Sequence, residues 1–185
     1  MKIIETPIPG LLIIEPRVFA DERGYFFESF NETKFTEAGL NTGFVQDNES
    51  KSHRGVIRGL HYQLAPYAQA KLIRVVRGTV YDVAVDLRQG SPTFGEWFGI
   101  EVSASKKNQF YIPKGFAHGF SVLSEFAIFS YKCDEFYNPK ADRGIRFDDP
   151  TLKIDWKFPL EEAVISAKDL ALPFFANAEM NFKFE

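Results

Sequence analysis

The 185-residue sequence has a single cysteine and no run of basic residues. Because one thiol cannot form an intrachain disulfide, Cys133 indicates a reducing compartment. The formal net charge of −3 argues against a nucleic acid or an anionic membrane as the partner. The N-terminal MKIIETPIPG has no hydrophobic signal region, and no apolar run approaches the length that spans a membrane. Together these absences predict a cytoplasmic protein.

Internal repeats, low-complexity tracts and linkers are also missing, which predicts a single domain over residues 1–185. Apolar residues make up 45% of the chain, and 20 of its residues are phenylalanine. The chain therefore has ample material for a core. Short apolar runs punctuated by Gly, Pro, Asn and Asp predict strands at Ile3–Thr6, Leu11–Pro16, Tyr25–Phe30, Phe44–Asn48, Gly55–Tyr62, Leu72–Val76, Thr79–Asp86, Trp97–Ser103, Gln109–Ile112, Phe116–Leu123, Ala127–Cys133 and Ile145–Phe147. The fold class that follows is an all-β sandwich or barrel with a few short helices.

Helix and loop signals are few. Asn31 is an N-cap residue and Gly39 a C-terminal stop, so the sequence predicts a helix over Glu32–Ala38. A second capped segment is predicted at Ser166–Leu172, and Val18–Gly24 is predicted to be a loop. The polar segment KSHRG, which contains His53, is predicted to be a surface loop without function.

The stretch Arg54–Gly78 places reactive side chains in two otherwise apolar strands. It carries Arg58, His61, Gln63 and Lys71, which is more polar chemistry than a buried strand pair normally tolerates. Strict alternation would put Arg58 and His61 on opposite faces of one strand. A β-bulge at Gly59 would direct both side chains into one cavity, a common arrangement beside active sites.

A second motif, Pro-x-Gly-x-x-His, ends at His118. Together with the His61 stretch it resembles the paired motifs of the cupin barrel, so the expected architecture is a cupin or jelly-roll barrel. Gln63 stands where a metal-binding cupin has its second histidine, and Lys71 stands where it has glutamate. An ammonium repels a cation, so the sequence predicts acid–base chemistry and no metal.

Each of these residues also has an ordinary structural interpretation. A lone strand histidine such as His61 is more often hydrogen-bonded for structure than catalytic, and His118 is as readily a core histidine as a ligand-binding one. Lys71 at a strand end usually extends to solvent, and an inward Tyr131 is usually a core aromatic. Ser-x-x-Asp before an apolar pair is a capping-box pattern, which from the pattern alone is the favoured interpretation of Asp169.

Eight motifs, in this order along nearly the whole chain, resemble one family. They are Asp21-Glu22-Arg23-Gly24, Phe44-Val45-Gln46-Asp47-Asn48, Gly55-Val56-Ile57-Arg58-Gly59-Leu60-His61-Tyr62-Gln63, Gln69-Ala70-Lys71-Leu72, Ser91-Pro92-Thr93-Phe94-Gly95, Gly115-Phe116-Ala117-His118-Gly119-Phe120, Tyr131-Lys132-Cys133 and Ser166-Ala167-Lys168-Asp169. By this set the chain is identified as a member of the dTDP-4-dehydrorhamnose 3,5-epimerase family. Such an ordered set is far more specific than any one of its members.

The resemblance implies a reaction and a catalytic set. The family inverts C3 and C5 of dTDP-4-keto-6-deoxyglucose, giving dTDP-4-keto-L-rhamnose in dTDP-L-rhamnose biosynthesis, without metal or redox cofactor. By resemblance His61 is the base, Asp169 orients it, Tyr131 is the proton donor and Lys71 stabilises the enolate oxygen. Removing a proton beside a carbonyl requires these parts: a positioned base, enolate stabilisation and, for inversion, an acid on the opposite face.

The resemblance also implies a binding set and an assembly. Arg58 and Arg23 match diphosphate contacts, a role that suits planar guanidinium groups, and Tyr137 matches an aromatic that stacks on thymine. The other matched binding positions are Glu28, Gln46, Asp47, Asn48, His118, Asp142 and Lys168. Asp142 and Phe136 depart from the family, in which Glu and Tyr are commoner. The family is dimeric with exchanged N-terminal strands, so Arg23 is expected to serve the partner's site.

Rival classes predict different behaviour. A metal-dependent cupin oxygenase or isomerase would bind a transition metal, which Gln63 and Lys71 disfavour. A non-catalytic sugar-nucleotide-binding cupin would lack the base or the acid, and both His61 and Tyr131 are present. An epimerase that inverts one carbon only, or that acts on another 4-keto sugar nucleotide, differs in pocket shape, which the sequence does not display.

Overall fold

The computed structural model of the protein describes residues 1–40 and 43–184. Within these residues, thirteen strands are formed: β1 Lys2–Glu5, β2 Leu12–Glu15, β3 Val18–Asp21, β4 Gly24–Phe27, β5 Gln46–His53, β6 Ile57–Gln63, β7 Lys71–Arg77, β8 Thr79–Asp86, β9 Trp97–Ser103, β10 Gln109–Ile112, β11 Phe116–Val122, β12 Phe126–Cys133 and β13 Asp142–Gly144. The helices are α1 Glu32–Glu37 and α2 Ala167–Leu170, with 3₁₀ turns at Leu160–Glu162 and Phe175–Asn177. No helix in the described residues is long and apolar enough to cross a membrane.

Two antiparallel sheets form the body of the protein. The first has the strand order β1-β2-β10-β7-β12-β5, and the second has the order β13-β6-β11-β8-β9. Apart from β1–β2 and β8–β9, neighbours in these orders are not consecutive in sequence, as in a jelly roll, where strands alternate between two sheets. The prediction of an all-β cupin or jelly-roll barrel with a few short helices is confirmed.

The main core lies between the two sheets. The first sheet contributes Ile73, Phe110 and Phe129, and the second contributes Val80 and Phe120, all at most 4% exposed. Burying a side chain of this size contributes about 1.5–3 kcal/mol relative to leaving it in water. The two sheets are therefore held together by apolar contacts at one end of the barrel, and a cavity with polar walls occupies the interior beside them.

The outer face of each sheet is covered by chain that follows or precedes it. Trp156, in the C-terminal segment, packs against the five-stranded sheet and donates from its indole to the carbonyl of Phe147 at 2.8 Å. Phe35 of α1 packs with Leu72 and Tyr111 on the outer face of the six-stranded sheet. Asn31 caps α1 by accepting from the Lys34 amide, as predicted.

Two predicted loops are strands. The predicted loop Val18–Gly24 forms β3 and the turn of a β3–β4 hairpin, and β4 ends at Phe27, short of the predicted Phe30. β5 continues through the predicted polar loop as far as His53, which is exposed. Both errors have one cause: these strands lie at a sheet edge or outside the main sheets, so they are not marked by buried apolar residues.

The last strand was predicted three residues too late. β13 is Asp142–Gly144, and not Ile145–Phe147. Ile145 still exchanges two backbone hydrogen bonds with Leu60, both at 3.0 Å, so the pairing continues just past the strand. The apolar Ile145 and Phe147 are buried core residues of the segment that follows, which is why they suggested a strand.

Candidate active site

The β-bulge predicted at Gly59 is present. His61 pairs with His118 across β6 and β11, while Arg58 pairs with Phe120, so two residues of β6 lie opposite one residue of β11. Gly59 has φ +110°, and a Cβ there would lie 2.6 Å from the His118 carbonyl oxygen. Only glycine fits this contact, and the extra residue turns Arg58 and His61 to the same side of the sheet.

Both side chains enter a cavity of about 430 Å³ between the two sheets. One wall belongs to the six-stranded sheet, the other to the five-stranded sheet, and α2 closes the side. The lining residues are Asn48, Glu49, Ser50, Arg58, His61, Lys71, His118, Phe120, Phe129, Tyr131, Ser166, Lys168 and Asp169. The four residues predicted to be catalytic are thus brought together, although they are spread over more than a hundred residues of sequence.

Asp169 holds the imidazole of His61. Its Oδ1 is 2.8 Å from His61 Nε2, and its Oδ2 accepts from the Gly59 amide at 3.3 Å. Ser166 caps α2 by accepting from the Asp169 backbone amide at 3.1 Å, so the predicted cap is confirmed as well. The Asp169 side chain, however, does not complete a capping box. It orients the histidine.

The electrostatics of this pair favour a carboxylate. Burial alone would raise the pKa of Asp169, but the hydrogen bonds from His61 and Gly59 outweigh it and lower the pKa. A carboxylate bound to Nε2 makes that nitrogen the donor of a neutral imidazole. The other ring nitrogen, Nδ1, is then an acceptor, and His61 is 34% exposed to the cavity. Because Nδ1 has no hydrogen-bond partner among the residues that the structure describes, the geometry provides a base with one free nitrogen.

A second histidine–carboxylate pair lies beside the first. His118 Nε2 is 3.0 Å from Asp82 Oδ1, and both side chains are buried. Burial lowers the pKa of His118 and raises that of Asp82. The Asp82 Oδ2 atom has no hydrogen-bond partner among the described residues. Sequence reasoning missed Asp82, although a charged residue amid the apolar strand TVYDVAVD was a signal for it.

The opposite wall carries Tyr131 and Lys71. Both lie on the interior face of the six-stranded sheet, where the Lys71 ammonium is 5.9 Å from the centre of the Tyr131 ring. Burial raises the pKa of Tyr131 to about 12, so its hydroxyl stays protonated at neutral pH. Burial lowers the pKa of Lys71. Phe129 packs between Tyr131 and His118, forming part of an apolar floor with Phe120.

Arg58 presents its guanidinium to the same cavity. Its Nε donates to the buried hydroxyl of Ser52 at 3.0 Å. In the described residues no hydrogen bond from the terminal nitrogens of Arg58 to the protein is found, which leaves them facing the cavity. A planar guanidinium with two free terminal nitrogens is suited to binding a phosphate. Ser52 was not predicted, because a buried serine in a polar strand carries no distinctive pattern.

Other predicted binding residues form the rim of the cavity. Asp142 Oδ2 accepts from the Tyr137 hydroxyl at 3.1 Å and from Lys168 Nζ at 2.7 Å. Despite its short side chain, Asp142 thus reaches both neighbours. Gln46 accepts from the Tyr137 amide at 3.0 Å and donates to Asn48 at 3.0 Å, which joins the rim to the cavity wall.

A family model described as dTDP-4-dehydrorhamnose 3,5-epimerase matches residues 5–177. The chain belongs to this family. The Shigella flexneri dTDP-4-dehydrorhamnose 3,5-epimerase is 54% identical over 97% of this chain and 98% of its own. The crystal structure of that enzyme from Elizabethkingia anophelis NUHP1 is 56% identical, covers 96% of this chain and 97% of its own, and has a TM-score of 0.92. A Legionella pneumophila dTDP-6-deoxy-D-glucose-3,5-epimerase in complex with dTDP-4-keto-L-rhamnose has a TM-score of 0.91, 50% identity, and coverage of 95% and 93%.

Three predicted binding residues, Arg23, Glu28 and Asp47, lie neither in the cavity of this epimerase-family member nor at its rim. Arg23 is at the tip of the β3–β4 hairpin, where it pairs with Asp21 and its side chain is 85% exposed. Glu28 pairs with Lys34, and Asp47 pairs with Lys132 at 2.9 Å on the other side of β5 from Asn48. Their assignment to substrate binding stays a prediction.

The residues at the metal positions of a cupin do not fit a cation in this family member. Lys71 stands where a metal cupin has its glutamate, so this position supplies no carboxylate ligand. The Gln63 amide is occupied by backbone groups, since it donates to Tyr67 O at 2.8 Å and accepts from Asn138 N at 2.6 Å. Residues 1–40 and 43–184 contain no group of three or more His, Cys, Asp or Glu side chains placed to hold a metal.

Proposed function

We propose that the protein is a cofactor-free epimerase that inverts C3 and C5 of dTDP-4-keto-6-deoxyglucose to give dTDP-4-keto-L-rhamnose, a step of dTDP-L-rhamnose biosynthesis. The observation that carries this proposal is the placement of His61 and Tyr131. They lie on opposite sheets with the cavity between them, so that a base and an acid face a bound sugar from two sides. Inversion at carbon requires this arrangement.

The chemistry follows from the ionisation of the groups. His61 Nδ1 takes the proton from the carbon beside the ketone, and the electrons of the C–H bond move into the enolate. The Lys71 ammonium lies beside the developing oxyanion and stabilises it. Tyr131 then donates its proton to the same carbon from the opposite face, which inverts it. Transfer of the proton from His61 back to the phenolate through water restores both groups for the second carbon.

The remaining residues are assigned to binding. The free nitrogens of Arg58 are suited to the diphosphate, and His118 lies on the sugar side of the cavity, next to His61. Tyr137 is 54% exposed at the rim, where its ring can stack on the nucleobase, and Asp142 and Lys168 lie beside it. Gln46 and Asn48 connect this rim to the wall that holds the sugar.

The function is tested by product analysis in deuterium oxide with dTDP-4-keto-6-deoxyglucose as substrate. The wild-type protein is expected to form dTDP-4-keto-L-rhamnose with deuterium at both C3 and C5, because each inversion delivers a solvent-derived proton. Deuterium and inversion at one carbon only would identify a one-carbon epimerase instead. Absence of both, with dTDP binding retained, would make the protein a non-catalytic binding protein.

The same assay separates the proposal from a metal-dependent cupin. Dialysis against a chelator should leave the rate unchanged, since the Gln63 amide is already bonded to the backbone and a lysine, Lys71, stands where a metal site has a carboxylate. Elemental analysis should find no stoichiometric transition metal. One tightly bound metal per chain, with activity lost on its removal, would contradict the acid–base mechanism.

We also propose that residues 1–185 form one domain that assembles as a homodimer, with N-terminal strands exchanged. The β3–β4 hairpin supports this proposal because it is separate from both sheets and exposes Phe19, Tyr25 and Phe26 by 51%, 62% and 66%. β5 is an edge strand of the six-stranded sheet, and a partner's strand would cover it. Arg23 at the hairpin tip would then reach the partner's cavity.

Subunit mixing tests this role of Arg23. Arg23→Ala and His61→Ala homodimers should each be impaired at low substrate concentration, for loss of a phosphate contact and of the base. When the two are unfolded, mixed and refolded together, activity should return to roughly a quarter of the wild-type value, because half of the dimers are mixed and each has one intact site. No recovery would place Arg23 in the cavity of its own chain, or outside the site.

A cytoplasmic location is the remaining part of the proposal. The single cysteine supports it, because one thiol cannot form an intrachain disulfide, and Cys133 is a buried free thiol whose pKa burial raises to about 11, which keeps it unreactive. Recovery of the protein mainly in the membrane or secreted fraction of its source cells would contradict it.

A further inference from the structure

The loop that follows β12 exposes two neighbouring aromatic side chains. Phe136 is 61% exposed and Tyr137 is 54% exposed, and Tyr137 stands at the rim of the cavity. Their rings do little to hold the loop, since exposed side chains have few packing partners. A ring can act as a stacking surface only if the backbone that carries it is fixed. The backbone of residues 135–138 must therefore be held by contacts other than those of the two rings.

Three glutamine side chains from separate parts of the chain bind the backbone of this loop. Gln69 Nε2 donates to the Glu135 carbonyl at 2.7 Å, and Gln63 Nε2 donates to the Phe136 carbonyl at 3.2 Å. Gln46 Oε1 accepts from the Tyr137 amide at 3.0 Å. Gln63 Oε1 accepts from the Asn138 amide at 2.6 Å. We call Gln46, Gln63 and Gln69 the glutamine cradle, and it holds each of four consecutive residues.

Gln63 is the centre of the cradle. It is 4% exposed, and its amide also donates to the Tyr67 carbonyl at 2.8 Å, so its side chain binds three backbone groups and joins the 135–138 loop to the segment at Tyr67. A buried amide with several hydrogen bonds is strongly oriented, because no water is available to replace a lost partner. The position where a metal cupin has a ligand thus carries a residue that anchors a loop.

We propose that Gln63 and Gln69 are positioning residues for the nucleobase end of the ligand: they fix the 135–138 loop so that Tyr137 is presented to the base. The inference rests on the proposed function, since it concerns how the same site holds a nucleoside diphosphate. Neither residue lines the sugar cavity. Their loss should therefore weaken ligand binding and leave the proton-transfer step intact. The contact between Tyr137 and the nucleobase is the same in the ground state and in the transition state, so it contributes to binding and not to the rate of proton transfer.

The test uses Gln63→Met and Gln69→Met, which keep side-chain length and remove the hydrogen bonds. Calorimetry with dTDP should give a dissociation constant about tenfold higher for each variant, a change of about 1.4 kcal/mol. KM for the sugar nucleotide should rise similarly while kcat stays within about twofold. Amide hydrogen exchange of the loop peptide should be faster in the free Gln63→Met protein, since the Asn138 amide loses its acceptor.

Gln109→Met is the matched control. Gln109 is also a buried glutamine that donates to a backbone carbonyl, that of Ser29 at 2.7 Å, but it lies on β10, away from the loop. It should change neither the dTDP affinity nor the loop exchange. Unchanged dTDP affinity in both cradle variants, or a loss of kcat at unchanged KM, would overturn the inference. Failure of the wild-type protein to bind dTDP would instead overturn the proposed function. Should Gln63→Met fail to fold, the dTDP affinity and KM of Gln69→Met, at a half-buried position, still test the inference.

Discussion

Replacing His61 by alanine should abolish exchange of solvent deuterium into the sugar while dTDP binding survives. His61 Nε2 is held by Asp169, which leaves its Nδ1 as the base. Removing a positioned base costs about two to four orders of magnitude in rate. The contacts to the diphosphate and to the nucleobase are assigned to Arg58 and Tyr137, which the variant keeps. NMR in deuterium oxide measures the exchange, and calorimetry with dTDP measures the binding.

Asp169→Asn is the companion variant. The amide keeps the shape of the side chain but cannot stabilise the imidazole in the same tautomer, so the loss should be smaller than for His61→Ala. The Ser166 cap uses the Asp169 backbone and should be unaffected. Exchange near the wild-type rate in His61→Ala would mean that another residue is the base. A lower melting temperature with unchanged kinetics in Asp169→Asn would restrict that residue to a structural role.

Tyr131→Phe should separate proton removal from inversion. The phenol faces the cavity from the sheet opposite His61, and burial raises its pKa to about 12, so it is a proton donor at neutral pH. Without the hydroxyl, His61 can still remove the proton and return it to the same face. Deuterium should therefore enter the starting sugar while inversion slows by about two to four orders of magnitude, the usual contribution of a positioned acid.

One NMR time course in deuterium oxide reports both rates for this variant. The fold should survive, because phenylalanine keeps the ring that packs on Phe129 and loses only the oxygen. Inversion at the wild-type rate would remove Tyr131 from the mechanism. Parallel loss of exchange and inversion would mean that the hydroxyl mainly stabilises the enolate, a task assigned here to Lys71.

Local patterns predicted those parts of the fold that depend on local physics. The interior strands were found because they are apolar on both faces, as in Phe116–Val122, where every residue is buried. The bulge was predictable because Gly59 separates two polar residues that alternation would place on opposite faces. The helix cap at Asn31 was likewise a property of adjacent residues. In each case the pattern that predicts the feature lies within a few positions of the residue.

Contacts between distant residues were not accessible in this way. The Ser166–Asp169 pattern predicted a cap, and only the fold shows that the same carboxylate is bound to His61, 108 positions away. Asp82 and the glutamine cradle act on partners 36 and up to 91 positions away. The resemblance to a family supplied the residues of the site, but the hydrogen bonds that orient them come from the packing of strands.

Gly59 has a practical consequence for redesign of this protein toward other sugars. Its backbone is in contact with His118 and Gly119, so any side chain there would push β6 away from β11. Such a shift would move Arg58 and His61 together, away from His118 on β11. The phosphate end and the sugar end of the pocket therefore cannot be retuned independently through β6, and a library of variants should spare Gly59. Positions on β5 and β12, such as Ser50, allow one wall to be altered while the histidines keep their relative placement.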